Sequence, residues 1–358
     1  MSTPAITIIG AGPAGLGAAW ALREAGYEDF EVIECRSDAG GLASSRHVKG
    51  HWWDCGGHVL YLQGECGRVV EELFAPGELV EHPQRRAIDI MGTLVPYPVQ
   101  DHIDALYQGN RESIAADAEH LPAVARRDNF LVYLLDTFGP HLCSLFFLPF
   151  NRKRWGIALE RMSCDWLGTV LAAEHTRKVY PRQGGIGEIW RRLAARFEGK
   201  IRYNEMVLDV PKSQHVVSTM PLSTMYKRVF GWFLPGLSAA SAWVQFATDF
   251  EMPDDLDRVY YADAITRRCR AALGSPLERT RATIEMARPL MPGADWYEAC
   301  AYPVPSVCRD VVVNAALARL RDRGIWSVGR FGAWRYEEGH MHQCFAQGVA
   351  AAREIVGA

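Results

Sequence analysis

The 358-residue sequence contains no CxxC pair and no short Cys/His cluster, so a structural zinc site has no ligand set to draw on. Its nine cysteines are scattered and odd in number, which excludes a complete disulfide framework, and free thiols are expected. A basic excess is also missing. Thirty-nine Lys and Arg stand against 42 Asp and Glu, a net charge of −3, so the chain lacks the surplus that binding a phosphate backbone requires and nucleic acid is not an expected partner. The first nine residues, MSTPAITII, have neither the basic region nor the long apolar run of a signal peptide, and a cytoplasmic home is expected. No uninterrupted apolar run reaches the ~20 residues of a spanning helix. The richest stretch, 130–150, is broken by Asp136, Gly139, Pro140 and His141, so a buried helix pair turning at that break is expected, with no membrane contact. Repeats and low-complexity tracts are absent too. What remains is an ordinary globular mixture, 49% hydrophobic and 23% charged, long enough for two or three interleaved domains.

Ile6 to Ile9 is a β-branched run of the kind buried on both faces of a parallel sheet, and it leads directly into Gly10-Ala-Gly12-Pro-Ala-Gly15. A helix is expected from Leu16 to Ala25, ending at Gly26, followed by a second strand from Phe30 to Ile33 that ends in Glu34. Residues 99–179 change character. Amphipathic stretches over Asp117–Phe138 and Asp165–Lys178 predict a helical insertion. Alternation over Ala242–Phe246, Val259–Tyr261, Arg281–Glu285 and Glu298–Tyr302 predicts an antiparallel sheet. A strand at Ile325–Val328 and a helix over Cys344–Val356 close the pattern. The expected architecture is α/β: a Rossmann-type FAD-binding domain from residues 1–98, 180–222 and 309–358, a helical insertion at 99–179, and an antiparallel β-sheet substrate domain at 223–308.

The glycine spacing carries chemistry. Gly10 permits the tight turn, Gly12 lets backbone amides approach a pyrophosphate, and Gly15 lets the helix pack on the strand, while the helix start adds partial positive charge. Glu34, about 20 residues on, would accept from ribose hydroxyls and repel a 2′-phosphate, which selects FAD or NAD over NADP. Arg36 and the second glycine pair, Gly40 and Gly41 in Gly-Gly-Leu42-Ala-Ser44, bring backbone back to the pyrophosphate and flavin, which a nicotinamide enzyme does not need. FAD is the expected cofactor.

Further segments resemble the UDP-galactopyranose mutases, especially their eukaryotic-type sequences. Residues 53–59 (WDCGGHV) are similar to their WDxGGHV loop, residues 95–100 (VPYPVQ) to their VPYPxQ, and residues 151–155 (NRKRW) to their NxKxW. PRQGGIG at 181–187, VSTMP at 217–221, AYPVPS at 301–306 and GRFGAWRY at 329–336 follow in the family's order. The resemblance implies a reduced flavin whose N5 attacks the anomeric carbon of a nucleotide sugar, displaces the nucleotide, and lets the sugar reclose between pyranose and furanose without net oxidation. NAD(P)H as the reductant and a homodimer are left open.

The resemblance further implies roles for individual residues. Gly56, Gly57 and His58 match the mobile loop beside the flavin, and Arg330, after Gly329, matches an arginine at its edge. Met341 and His342 match backbone groups at the ring, Val207 falls at the adenine strand, and Ser44 belongs to the pyrophosphate loop. Tyr97, Gln100, Trp155, Tyr302 and Tyr336 match substrate contacts. Tyr260 precedes an arginine that Arg267, Arg268 or Arg270 could supply, with Arg267 taken as the candidate. Two departures stand out. The family's diphosphate-gripping arginine is replaced by Thr169 or Val170, with Arg177, Lys178 and Arg182 as candidate substitutes, and an asparagine is replaced by His340. His340 and His342 without a third ligand do not make a metal site. Two further readings stay open: an FAD-dependent oxidase or desaturase of an amine or small metabolite, and a flavin-fold binding protein without activity.

Overall fold

The computed structural model describes residues 4–56, 59–167, 176–253, 255–263, 266–275, 278–286 and 294–357, and they divide into two compact units. The first comprises Met1–His82, Gly168–Leu237 and Cys308–Ala358. Its centre is a parallel sheet in the order Ile201–Arg202, Phe30–Ile33, Ile6–Ile9, His215–Ser218, Ile325–Ser327. All four residues of Ile6–Ile9 are buried, as a β-branched strand covered on both faces requires. The first helix, Pro13–Glu24, starts earlier than expected because Pro13 at its first position is preset for the helical φ. It crosses the long helix Met341–Val356 at backbone contact: a Cβ on Gly17 would collide with the Phe345 carbonyl, and one on Gly348 with the Ala14 carbonyl. The rings of Trp20 and Phe345 fill the adjoining space, 5.7 Å apart.

The second unit comprises Pro83–Leu167 and Ser238–Val307. Its seven strands run in the order Trp296–Pro303, Ala239–Ala247, Glu278–Met286, Arg268–Ser275, Arg258–Tyr261, Arg86–Ile90, Thr93–Pro96. All neighbours are antiparallel except Arg258–Tyr261 and Arg86–Ile90. Residues 86–96, expected with the FAD-binding part, therefore belong to this sheet. The helical segment and the sheet are one unit rather than two domains.

The amphipathic stretch expected over Asp117–Phe138 is two helices, Gln108–Ala118 and Phe130–Leu142. Pro122 lies between them, and Asn129 caps the second, its Oδ1 accepting from the Val132 amide at 3.0 Å. The expected turn inside the apolar run is present at Gly139, which leaves helical geometry at φ 76° and ψ 159°. Phe130–Trp155 is long and apolar enough to cross a membrane by length and composition, with mean hydropathy 1.5, and 28% of its most apolar window is buried. Asp136 in its first half is held by Arg126 at 2.8 Å. The helix expected over Asp165–Lys178 falls mainly outside the described residues, and Lys178 opens the strand Lys178–Pro181.

Candidate functional site

In the first unit the two glycine loops approach one another. Gly10 turns at φ +100° and donates its amide to the Ile33 carbonyl at 2.8 Å. A Cβ on Gly15 would collide with the Gly10 carbonyl, so the spacing is sterically enforced. Gly12 caps the Pro13–Glu24 helix with no side chain satisfying its first amides, and a Cβ there would lie 3.8 Å from the Gly40 oxygen and the Gly41 Cα. Bare backbone from both loops thus frames one space at a helix start, the arrangement a pyrophosphate needs.

Glu34 is 4% exposed, and both its carboxylate oxygens accept amides, Oε2 from Ala11 at 2.7 Å and Oε1 from Arg36 at 2.8 Å. It therefore holds the turn as well as ending the strand where a ribose would lie. Arg36 donates to the Gly41 carbonyl at 2.9 Å, joining the two loops. Leu42 sits in the short turn Gly41–Ala43, and Ser44 contacts the Cys55 thiol at 3.8 Å. Asp54, which sequence reasoning passed over, is fully buried and accepts from Ser45 at 2.6 Å, Tyr180 at 3.0 Å and the Ile186 amide at 3.0 Å. Burial pushes its carboxyl up to about 7 against the pull of those donors. Gly56 follows at φ +147°, and Gly57 and His58 lie outside the described residues.

Gly329, at φ +83°, donates to the Gln347 side chain at 2.7 Å, and Arg330 donates to the Gly339 carbonyl at 3.1 and 2.7 Å. That contact brings Arg330 to the segment leading into His340, Met341 and His342. Tyr336 is half-buried beside Glu337, which is clamped by Arg309 at 2.8 and 2.6 Å. Val207 is not in a strand: it lies half-buried in the loop after Ile201–Arg202, between exposed Met206 and Leu208. Arg177 is paired with Glu71 and Glu81, and Arg182 donates to the Gly77 carbonyl, so these two candidate substitutes are engaged elsewhere. Lys178 lies over the Tyr61 ring at 5.6 Å.

The second unit assembles a buried cationic cluster. Glu285, 4% exposed, accepts from Arg154 at 3.1 Å and Arg270 at 2.6 Å, and Tyr302 donates to it at 3.0 and 3.1 Å. Arg270 donates to the Tyr302 oxygen at 3.2 Å, and the Arg154 guanidinium lies 4.1 Å from the Tyr302 ring. Burial pushes Glu285 up, but Arg270 and Arg154 outweigh it and hold the carboxyl at about 2. Beside this, Tyr260 accepts from Arg258 at 3.5 Å and packs against Tyr97 at 5.6 Å, with Arg86 4.3 Å above the Tyr97 ring. Burial raises the Tyr260 phenol, yet Arg258, Arg270 and Arg86 bring it down to about 8. Four guanidiniums and one carboxylate make the cluster cationic, and the Arg270 Nε is a buried donor with no acceptor.

Of the three candidate arginines, Arg270 is the one that joins this cluster. Arg267 and Arg268 are exposed, and a bulge between Arg268 and Arg270 changes which face each presents. Trp155 is 2% exposed, donates to Asn151 at 3.2 Å and packs on Trp166 and Tyr302, so it supports the cluster from behind. Gln100 is half-buried in the turn Val99–Asp101. Arg154 and Glu285 were not singled out from the sequence. Glu285 shares its strand face with Arg281 and Thr283, a polar alternation that gives no local sign that the acid is buried. Lys153 donates to the carbonyls of Tyr261 at 2.9 Å and Asp263 at 2.8 Å, tying its helix to the loop after Arg258–Tyr261.

Residues 8–75 match the family model of the NAD(P)-binding Rossmann-like domain. Over 99% of this chain and 96% of the other, the structure superimposes on reduced UDP-galactopyranose mutase with a TM-score of 0.88 at 23% identity. The fold is that of UDP-galactopyranose mutase. A fatty acid isomerase from P. acnes that produces CLA (TM-score 0.67, 13% identity, 96% and 97% coverage) and a putrescine oxidase (0.64, 16%, 99% of each chain) share it more distantly. Within the mutase fold the glycine cradle of the first unit fits FAD: a Cβ at Gly10 would collide with the Thr219 hydroxyl and one at Gly15 with the Gly10 carbonyl, and helix amides stand without side-chain caps. The positions of the expected arginine, Thr169 and Val170, lie outside the described residues.

Proposed function

We propose that this chain is a reduced-FAD-dependent mutase that interconverts the pyranose and furanose forms of a nucleotide sugar. The observation that carries the reading is the Arg154–Glu285–Arg270–Tyr302 cluster, whose net positive charge and unsatisfied Arg270 Nε suit a diphosphate. Bound and reduced, the flavin supplies the nucleophile. The side chains bind and orient: Arg270 and Arg154 offer planar donors to the diphosphate, Tyr302 is fixed by Glu285, and Tyr97 and Tyr260 offer aromatic faces to the sugar or base. The substitution of the family's diphosphate-gripping arginine by Thr169 or Val170 leaves an altered substrate open. All nine cysteines are free thiols, in keeping with a reducing, cytoplasmic setting.

The test is anaerobic. Dithionite-reduced protein is incubated with UDP-, GDP- and TDP-hexoses and pentoses, and products are resolved by anion exchange against an oxidised control. A new isomer of unchanged mass, formed only by reduced protein, establishes the mutase and names its substrate. Oxygen consumption with an amine, and no isomer anywhere in the panel, moves the assignment to an oxidase.

A further inference from the structure

His340 and His342 bracket the start of the Met341–Val356 helix and are chemically unlike each other. His340 is the N-cap: its imidazole accepts from the Gln343 amide, while the Gln343 side chain accepts from the His340 amide at 3.0 Å. Burial, then Arg330 and His342, take the His340 pKa down to about 4. The His342 ring stacks on His340 at 5.9 Å and meets Tyr61 at 5.8 Å. His342 is 8% exposed, and its Nδ1 is buried with no hydrogen-bond partner. The amides of Met341 and His342, the first two of a 16-residue helix, have no acceptor within it.

The charged and titratable groups around this pair are Tyr61, Lys178 beyond the Tyr61 ring, Arg330 from Gly329–Gly332, Cys344 one turn on and Cys66 from the neighbouring helix. Among the described residues no carboxylate bonds either imidazole.

We propose that His342 Nδ1 takes up the second proton when the flavin is reduced. Two electrons and one proton, at N5, leave the reduced ring with a negative charge at its pyrimidine edge. Such a charge belongs at a helix start with free amides and a nearby cation. The start of Pro13–Glu24 faces the glycine cradle of the diphosphate, whereas the start of Met341–Val356 has amides with no acceptor inside the helix, Arg330 on the segment leading into it, and an imidazole nitrogen without a partner among the described residues. The balance is oxidised flavin plus two electrons plus two protons, giving the N5-protonated anion and the His342 imidazolium. Reoxidation releases both protons. The inference rests on FAD occupying the first unit and not on the mutase reaction.

The test is the midpoint potential of the FAD-loaded full chain, titrated anaerobically without substrate from pH 6 to 8.5. For a two-electron couple, each proton taken up contributes about 30 mV per pH unit. Wild type is expected to show about 60 mV per pH unit, His342→Gln about 30, and His340→Ser about 60. Equal slopes in wild type and His342→Gln overturn the proposal. If His342→Gln does not retain flavin, 15N-histidine NMR of the wild type decides: Nδ1 must change from unprotonated to protonated on reduction, and an unchanged signal overturns it. Failure of the wild type to hold FAD overturns it together with the flavin assignment, whereas a missing mutase turnover leaves the slope readable.

Discussion

Arg270 and Glu285 face each other in register on neighbouring antiparallel strands and close a buried ion pair of 2.6 Å. Arg154 reaches the same carboxylate from a helix, so one acid orients two cations. The acid restrains the arginines without neutralising them both, and a dianionic ligand would meet a preorganised fork rather than two mobile side chains.

Arg270→Met is expected to raise KM by roughly 30- to 1000-fold, equivalent to about 2–4 kcal/mol of lost charge-assisted binding. Arg270→Lys should recover only part of this, since an ammonium keeps the charge but not the fork. Steady-state kinetics on the substrate identified in the panel checks both, with flavin content as the control. A variant that loses kcat at unchanged KM would count against a binding role.

Gly15→Ala places a methyl group against the Gly10 carbonyl. The glycine turn must move, and the purified variant is expected to lose most of its flavin while Gly109→Ala, with nothing near its Cβ and no positive φ, stays folded and yellow. The ratio of flavin to protein absorbance reads the result.

Asp54 sets one limb of the pH profile. Its carboxyl titrates at about 7 when folded and near 3.8 when unfolded, so the folded state holds the extra proton between those values and stability falls as pH rises through that window. At about 1.4 kcal/mol per unit, up to about 4 kcal/mol is at stake. Urea denaturation at pH 5 and pH 7.5 should show Asp54→Asn losing less stability across the interval than wild type.

His340 acts with the opposite sign. Its folded value of about 4 lies below the ordinary 6.5, so the stability it contributes is complete above about pH 6.5 and is lost as pH falls toward 4. His340→Ser keeps an N-cap acceptor that does not titrate. Thermal melts between pH 4.5 and 7 should be flatter for the variant.

The glycine motif, the acid after the second strand and the alternating strands were legible because each depends on local spacing: Gly10, Gly12 and Gly15 permit one turn, and Glu34 falls at the strand end. Arg270 was not separable from Arg267 and Arg268, because a bulge decides which one turns inward and bulges leave no local signature in a basic run. Glu285 and Arg154 meet across 131 positions of sequence, and Asp54 and Tyr180 across 126. Such pairs follow from topology rather than pattern. The pairing of Arg86–Ile90 with Arg258–Tyr261 is hidden for the same reason: the partner strand is far away in the chain.

The backbone crossing of Gly17 and Gly348 also bears on biosynthesis. The first helix and its glycine turn leave the ribosome early, but the strands His215–Ser218 and Ile325–Ser327 and the helix that presses on Gly17 arrive much later. Until residue 348 has emerged, the nascent first helix has an uncovered apolar face and a loop without its outer support. Flavin capture is therefore an event of the finished chain, and ribosome-bound fragments lacking the Met341–Val356 helix should depend on chaperones rather than on cofactor for protection.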